Sequence, residues 1–145
     1  MSNFWQGFEK QAATNTAYVV PGLAGYSEDG KTVYIDKRLP KKIELENGKS
    51  MPAHKYLSVH ERVEKGLIDS KGYKYQYAHR LATGAERKAV EADGYSWDDY
   101  QPYMLRMVKK LEDYSGSVPK DLDLTPQRDR GAYAEIRKIR KLQQK

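Results

Sequence analysis

Residues 56–65 read YLSVHERVEK, and their apolar side chains repeat at the spacing of an α-helix. At about 100° per residue, apolar residues fall on both sides of His60, which places this histidine in the stripe expected to be buried. Glu64 follows one turn later in the same arc. Burying a carboxylate is costly unless it is paired or binds a metal ion. The residues of the opposite face are Lys55, Ser58, Arg62, Lys65 and Asp69.

A second helical pattern follows over about residues 73–92 and contains YQYAHRLATGAERKAVE. His79 and Glu86 share one face of it with small alanines, which let another helix approach closely. A short turn between two packed helices brings their facing side chains together. The sequence therefore predicts one cluster of four ionisable side chains: His60, Glu64, His79 and Glu86.

Two imidazoles with one or two carboxylates suit a divalent cation, Zn²⁺ first. Glu61, at the edge of the same arc, is placed to take a proton from water, which implies hydrolysis of a carbonyl-type bond. Two alternatives stay open. The cluster can be a hydrogen-bonded network without metal, and Glu86 can instead form a salt bridge with Arg80 or Lys88.

Composition indicates one polar, globular domain. The chain has 145 residues, of which 39% are hydrophobic, and a net charge of +6. Without cysteine, a metal site must use His, Asp or Glu. No apolar run approaches the roughly 18 residues of a membrane span, and no secretory signal is visible. We therefore expect a cytoplasmic or virus-associated protein that does not enter a membrane.

Strand signals precede the helices. Residues 18–51 are rich in β-branched and aromatic residues and contain the turn signals EDGK and ENGK. In TVYID, Val33 and Ile35 should face one side of a sheet, and Tyr34 and Asp36 the other. These signals predict a small, mostly antiparallel sheet of three or four strands.

Three or four helices should follow, which gives an α+β fold. Pro52 suits the first turn of a helix that runs to about Ser70. Ser96 and Asp99 resemble a capping box before a helix whose main part begins at Pro102. VPKDLDLTPQRDRG should be an extended connector, and the final AYAEIRKIRKLQQK a basic helix.

The two ends of the chain differ from its middle, and we divide it at 1–17, 18–116 and 117–145. The first segment should form a short helix with three large aromatic residues, Phe4, Trp5 and Phe8, which dock onto the protein's own core or onto another protein.

The last segment is the most basic part of the chain. Residues 128–145 contain seven lysines and arginines but only two acidic residues. This helix is amphipathic, so its charges favour an acidic protein partner or phosphates, and nucleic acid binding is expected only here. The expected partner-binding cations are Arg137, Lys138, Arg140 and Lys141.

The order of strand TVYID, helix VHERVE and a further ligand-bearing helix resembles the minimal core of zincin metallopeptidases. In that family HExxH supplies two zinc ligands and a general base, and the edge strand lies along the substrate. His60 matches the first ligand and Glu61 the base, whereas Glu64 replaces the second histidine. With His79 downstream, the resemblance implies a set of two histidines and one glutamate. Tyr73, Tyr75 or Tyr77 would then polarise the substrate carbonyl.

A wider resemblance links GYSEDGKTVYIDKRLP, YLSVHERVEKGLID and YAHRLATGAE to small proteins encoded by tailed phages and prophages. It implies a viral setting, in the host cytoplasm or the virion, and no particular activity. Three hypotheses remain: a zinc-dependent peptidase, a phage structural or assembly protein that docks through both ends, and a host-directed binding protein with a basic tail.

Overall fold

The computed structural model describes residues 12–113 and 115–144. Within these ranges, short strands come first and helices follow, so the predicted α+β class is confirmed. The strands are β1 (Ala13–Asn15), β2 (Ala24–Tyr26), β3 (Thr32–Ile35), β4 (Lys42–Glu44) and β5 (Ser50–Pro52). The helices are α1 (Ala53–Lys71), α2 (Tyr75–Ala92), α3 (Trp97–Lys110), α4 (Thr125–Asp129) and α5 (Tyr133–Gln143).

The strands form two small sheets instead of the single sheet expected. In the first, β3 lies between β1, to which it is parallel, and β2, to which it is antiparallel. In the second, β4 and β5 form an antiparallel hairpin. Val19 and Val20 are not in a strand, because their N–H groups donate to the carbonyl of Ser117 and the carboxylate of Asp36. The strand TVYI is thus central, and β2 is an edge.

Alternation along β3 is as predicted. Val33 and Ile35 are buried in the main core, beneath α1 and α3. Tyr34 points to the other face and packs in a second core with residues of the C-terminal segment. The central strand therefore contributes side chains to both of these cores.

Helix α1 runs through the middle of the molecule and packs mainly against α2. It starts directly after Pro52 and ends at Gly72, whose φ of 67° is the left-handed conformation that glycine adopts at helix ends. Lys65, expected on the face opposite His60, is buried and donates to Asp123 at 2.6 Å. The segment around Asp123 packs against that face, so both sides of α1 are covered.

The C-terminal segment is less extended than expected. Thr125–Asp129 forms the short helix α4, with Pro126 in its first turn, where proline is favourable. The apolar side of α5 is buried in the chain's own second core through Ile136, Ile139 and Leu142. The basic side chains predicted to bind a partner, Arg137, Lys138, Arg140 and Lys141, are exposed.

Helix α3 begins at Trp97, so Pro102 lies inside it and does not start it. The Ser96 side chain makes no capping hydrogen bond, and the Asp99 carboxylate instead accepts a long one from Asn47, so the expected capping box is not formed. The predicted N-terminal aromatics, Phe4, Trp5 and Phe8, lie outside the described residues. Among the described helices, none combines the length and apolarity that crossing a membrane requires.

Candidate metal centre

Three potential ligand atoms meet between α1 and α2. Nε2 of His60 lies 3.0 Å from Oε2 of Glu64 and 3.1 Å from Nδ1 of His79. Nδ1 of His79 is 3.0 Å from the same Glu64 oxygen, which makes the triangle nearly equilateral. His60 and Glu64 are buried, whereas the His79 side chain is about half exposed. The structure thus brings together three of the four residues that helical periodicity singled out.

The size of this triangle suits zinc. With bonds of about 2.0–2.1 Å in a tetrahedral site, neighbouring ligand atoms are roughly 3.3 Å apart. The three observed separations, 3.0 to 3.1 Å, fall only a few tenths of an ångström short of that value. All three residues line one cleft, which has room for water or a substrate beside the candidate ligand atoms.

Glu86 lies behind His60 and not among the ligand atoms. Its Oε1 is 2.9 Å from Nδ1 of His60, on the far side of the imidazole ring from Glu64 and His79. A carboxylate accepts hydrogen bonds, so Nδ1 carries the proton and donates it. In neutral His60 this leaves the Nε2 lone pair directed at the centre of the triangle. A carboxylate that orients a histidine ligand in this way is common at zinc sites.

Two tyrosines hold the carboxylates in place. Tyr26 of β2 donates its hydroxyl to Oε1 of Glu64 at 2.8 Å, which leaves Oε2 to face the triangle. Tyr100 of α3 donates to Oε2 of Glu86 at 2.6 Å. Both tyrosines are buried. In each carboxylate, one oxygen therefore accepts a hydrogen bond from a tyrosine, and the other lies within hydrogen-bond distance of a ring nitrogen of His60.

The electrostatic field at the triangle favours a cation. Burial alone would lower the pKa of His60, but hydrogen bonds to Glu64 and Glu86 outweigh it and raise the pKa well above its usual value. Burial raises the pKa of Glu64, but hydrogen bonds from His60 and His79 bring it down to about 2. The carboxylates therefore stabilise a positive charge here, either as a second proton on His60 or as a metal ion.

Glu61 lies beside the triangle, and its carboxyl has no hydrogen bond to the described part of the chain. Its Oε2 is 3.9 Å from Nε2 of His60, and the residue is only 8% exposed. Burial, reinforced by the charge of Glu64, raises the pKa of the Glu61 carboxyl to about 8. A carboxyl with a pKa near neutrality, bordering the cleft, can both take up and release a proton.

The cleft over the site has a volume of about 360 Å³, in the range of small-ligand pockets. Of the three tyrosines considered from the sequence, Tyr75 lines it, and its hydroxyl lies 3.2 Å from Nδ1 of His79. Tyr73 and Tyr77 instead meet edge to face, with 4.8 Å between ring centroids, and do not line this cleft.

The sequence did not identify four residues of this site. Tyr26 and Tyr100 lie on other elements, and nothing in the sequence pairs them with Glu64 and Glu86. Gln127 and Arg130 line the cleft from α4 and its C-terminal end, a segment predicted to be extended. The Thr125-Pro126 pair is a signal that could have identified the helix, because proline is frequent in a first turn.

Comparisons with known proteins found no relative of this chain: no family model, curated protein or solved structure matches it.

Proposed function

We propose that this protein is a zinc-dependent hydrolase with a zincin-like site, and that it acts on amide bonds of peptides. The observation that carries the proposal is the triangle of ligand atoms whose His60 corner is oriented by Glu86. His60, Glu64 and His79 would hold the ion, which matches the two-histidine, one-glutamate set of catalytic zinc sites.

Within this proposal, Glu61 is the general base. Zinc supplies Lewis acidity, which activates water near neutral pH. Glu61 would accept the proton of a water held at the ion and pass it to the leaving amine, because its carboxyl borders the cleft beside His60. No described side chain donates a hydrogen bond to this carboxyl, so its oxygens are available to the reacting groups.

The walls of the cleft suit a peptide. Strand β2 borders it and, because TVYI is the central strand, is our candidate for the strand that lies along the substrate. Tyr26, its last residue, already accepts a backbone hydrogen bond from Asp123, so a substrate would pair with the residues before it. Leu105 and Val108 of α3 provide an exposed apolar wall for a substrate side chain. Tyr75 is the residue we assign to polarise the substrate carbonyl, because it is the cleft-lining tyrosine beside His79.

Zinc binding tests the site itself. The purified protein should bind close to one zinc ion, measured by elemental analysis and by competition with a chromogenic chelator. His60→Ala and His79→Ala should each weaken binding by more than about 100-fold, since losing a ligand costs more than losing an outer-shell partner. His54→Ala is the matched control, because His54 contacts the Leu39 carbonyl away from the cleft. Unchanged zinc content in both ligand variants would refute the site.

Catalysis is tested separately with Glu61→Gln. This variant should keep zinc affinity within a few-fold of wild type but lose about 10²–10⁴-fold in peptide hydrolysis, the usual contribution of a general base. A fluorogenic peptide library with apolar residues at every position is the assay. If the wild type binds zinc and cleaves nothing in the library, or if Glu61→Gln cleaves as well as wild type, the site is structural.

The exposed basic side of α5 supports a second proposal, that of docking to an acidic protein partner, in a phage assembly or in the host cytoplasm. Its apolar side is already buried in the chain's own core, so a partner would contact the exposed basic side chains. Replacing Arg137, Lys138, Arg140 and Lys141 by glutamine should abolish such docking. Strongly salt-dependent binding to DNA would point to nucleic acid instead.

A further inference from the structure

Arg130, at the C-terminal end of α4, brings a positive charge to the cleft. Among residues 12–113 and 115–144, no other lysine or arginine lines it. The guanidinium carbon of Arg130 lies 5.7 Å from the centre of the Tyr75 ring, and the hydroxyl of Tyr75 is 3.2 Å from Nδ1 of His79. The guanidinium therefore stands one tyrosine side chain away from a candidate zinc ligand.

Most of the hydrogen-bonding capacity of Arg130 is unused within the described part of the chain. Its Nε donates to the carbonyl of Pro126 at 3.1 Å. Its Nη2 lies 3.7 Å from Oε2 of Glu135, which is beyond hydrogen-bond distance. The side chain is 44% exposed, so a ligand can reach the two terminal nitrogens. Their planar arrangement matches the two oxygens of a carboxylate.

Gln127 presents a second donor from the same helix. Its Oε1 is buried, so the amide nitrogen is the atom that a ligand in the cleft can reach. At the candidate metal centre, by contrast, the carboxylates of Glu64 and Glu86 repel a negatively charged group. The wall of the cleft that α4 forms is therefore the one that suits a ligand group with acceptors only.

We propose that Arg130 binds a carboxylate of the peptide substrate, close to the bond that is cleaved. The C-terminus of a peptide and the side chain of an aspartate or glutamate both carry this group. A peptide advances only about 3.3–3.6 Å per residue, so a carboxylate held one tyrosine side chain away from the ion belongs to the first or second residue from the cleaved bond. This inference rests on the proposed zinc hydrolase, because it names a charge that the substrate of that site carries.

Binding of hydroxamates to the zinc-loaded protein, measured by calorimetry, tests the inference without catalysis. Three compounds join a hydroxamate to one residue, which is leucine with a free carboxylate, leucine amide or aspartate amide. One or both of the carboxylates should bind wild type about 10- to 100-fold more tightly than leucine amide, as expected for a charge-assisted pair. Arg130→Gln should abolish this preference.

Arg128→Gln is the matched control. It removes the same charge from the same helix, but Arg128 is exposed and does not line the cleft, so the preference should persist. Arg130→Lys should keep only part of the preference, because an ammonium group retains the charge without the planar pair of donors.

The source of the carboxylate decides which bonds are cleaved. A preference for the free carboxylate of leucine would mean that the protein removes the C-terminal residue of peptides. A preference for the aspartate side chain would mean that it cleaves beside acidic residues within a chain. Either preference supports the role of Arg130 if Arg130→Gln abolishes it.

Acetohydroxamate separates this inference from the proposed function. It carries no carboxylate, so Arg130→Gln should leave its affinity unchanged. If none of these hydroxamates binds zinc-loaded wild type, the proposed hydrolase site fails and this inference fails with it. If acetohydroxamate binds but neither carboxylate strengthens binding, or if Arg130→Gln keeps the preference, only the role of Arg130 is refuted. Equal weakening of every compound would also refute it, since the substitution would then act through the metal.

Discussion

Two groups of buried charged side chains in this protein differ in which groups serve as their hydrogen-bond partners. At Asp36, which is fully buried, both carboxylate oxygens accept from Arg38, one of them also accepts from the Val20 N–H, and each bond is 2.8–2.9 Å long. At the candidate metal centre, the potential ligand atoms of His60, Glu64 and His79 face one another, and no lysine or arginine in residues 12–113 and 115–144 is bonded to the Glu64 and Glu86 carboxylates.

The difference lies in what balances the negative charge. Asp36 is surrounded by the protein's own donors, so its pairing is complete when the chain folds. The candidate centre instead gathers acceptors around a point that a proton or an external cation can occupy. Buried charge alone therefore does not support a functional proposal in this molecule, whereas an excess of acceptors beside one cleft supports the proposed metal site.

The largest effect on stability should come from Asp36→Ala. Removing the carboxylate leaves Arg38 with only the carbonyls of Leu111 and Asp113 as acceptors and the Val20 N–H without its acceptor, and we expect a loss of about 3–5 kcal/mol in the free energy of unfolding. Urea denaturation measures it, and zinc affinity should change little. A loss below about 1 kcal/mol is typical of surface ion pairs. It would mean that the Asp36 carboxylate contributes little to stability, and the contrast between the two clusters would not hold.

The stability that the Asp36–Arg38 pair contributes should depend on pH. Burial raises the pKa of Asp36, but hydrogen bonds from Arg38 and Val20 outweigh it, so the folded pKa lies below the unfolded value of about 3.9. The stabilisation is then complete above the unfolded pKa and is lost as the pH falls through the folded one. Urea denaturation of wild type and Asp36→Asn should show a gap that is constant above about pH 5 and shrinks below it. A gap independent of pH would contradict the assignment.

At the metal centre, Glu86→Gln should weaken zinc binding by about 10- to 100-fold, the usual effect of an outer-shell carboxylate. The amide is a poorer acceptor for the Nδ1 proton of His60 and can present its own N–H instead. Chelator competition at fixed pH provides the measurement. Glu91→Gln, an exposed residue of the same helix that pairs with Arg87, is the control. Equal zinc affinities of the two variants would mean that Glu86 does not orient His60.

Tyr100→Phe should have the smallest effect, because its hydroxyl reaches the metal only through Glu86 and His60. We expect zinc affinity to fall by only about 2- to 5-fold, less than for Glu86→Gln. Combining the two substitutions should give no further loss, since both act through one chain of hydrogen bonds. Additive losses in that double variant would show that Tyr100 acts by another route.

Helical periodicity identified the ligand residues because the site lies on two consecutive helices. His60 and Glu64 are one helical turn apart. Only residues 72–74 connect α1 to α2, and because this connection is so short, α2 packs against α1. The alternation of Val33 and Ile35 against Tyr34 was likewise readable from TVYID. Local spacing was sufficient for these features.

Contacts between residues that are far apart in the sequence cannot be predicted from local spacing. Periodicity gives the face on which Glu86 lies but not the side of the His60 ring that it touches. Tyr26 is 38 residues from Glu64, and no local pattern specifies that contact. Lys65 lies on the face opposite His60, as predicted, but its burial depends on Asp123, 58 residues away, and no local pattern specifies that contact.

The ligand atoms and the carboxylate that orients them all belong to one helical hairpin, α1 and α2. Little chain entropy is lost in joining them, because the loop between the helices is short. The proposed ion site is therefore contained in one continuous stretch of sequence, residues 53–92. The strands and the C-terminal helices supply the walls of the cleft and Tyr26 and Tyr100, but none of the three candidate ligand atoms.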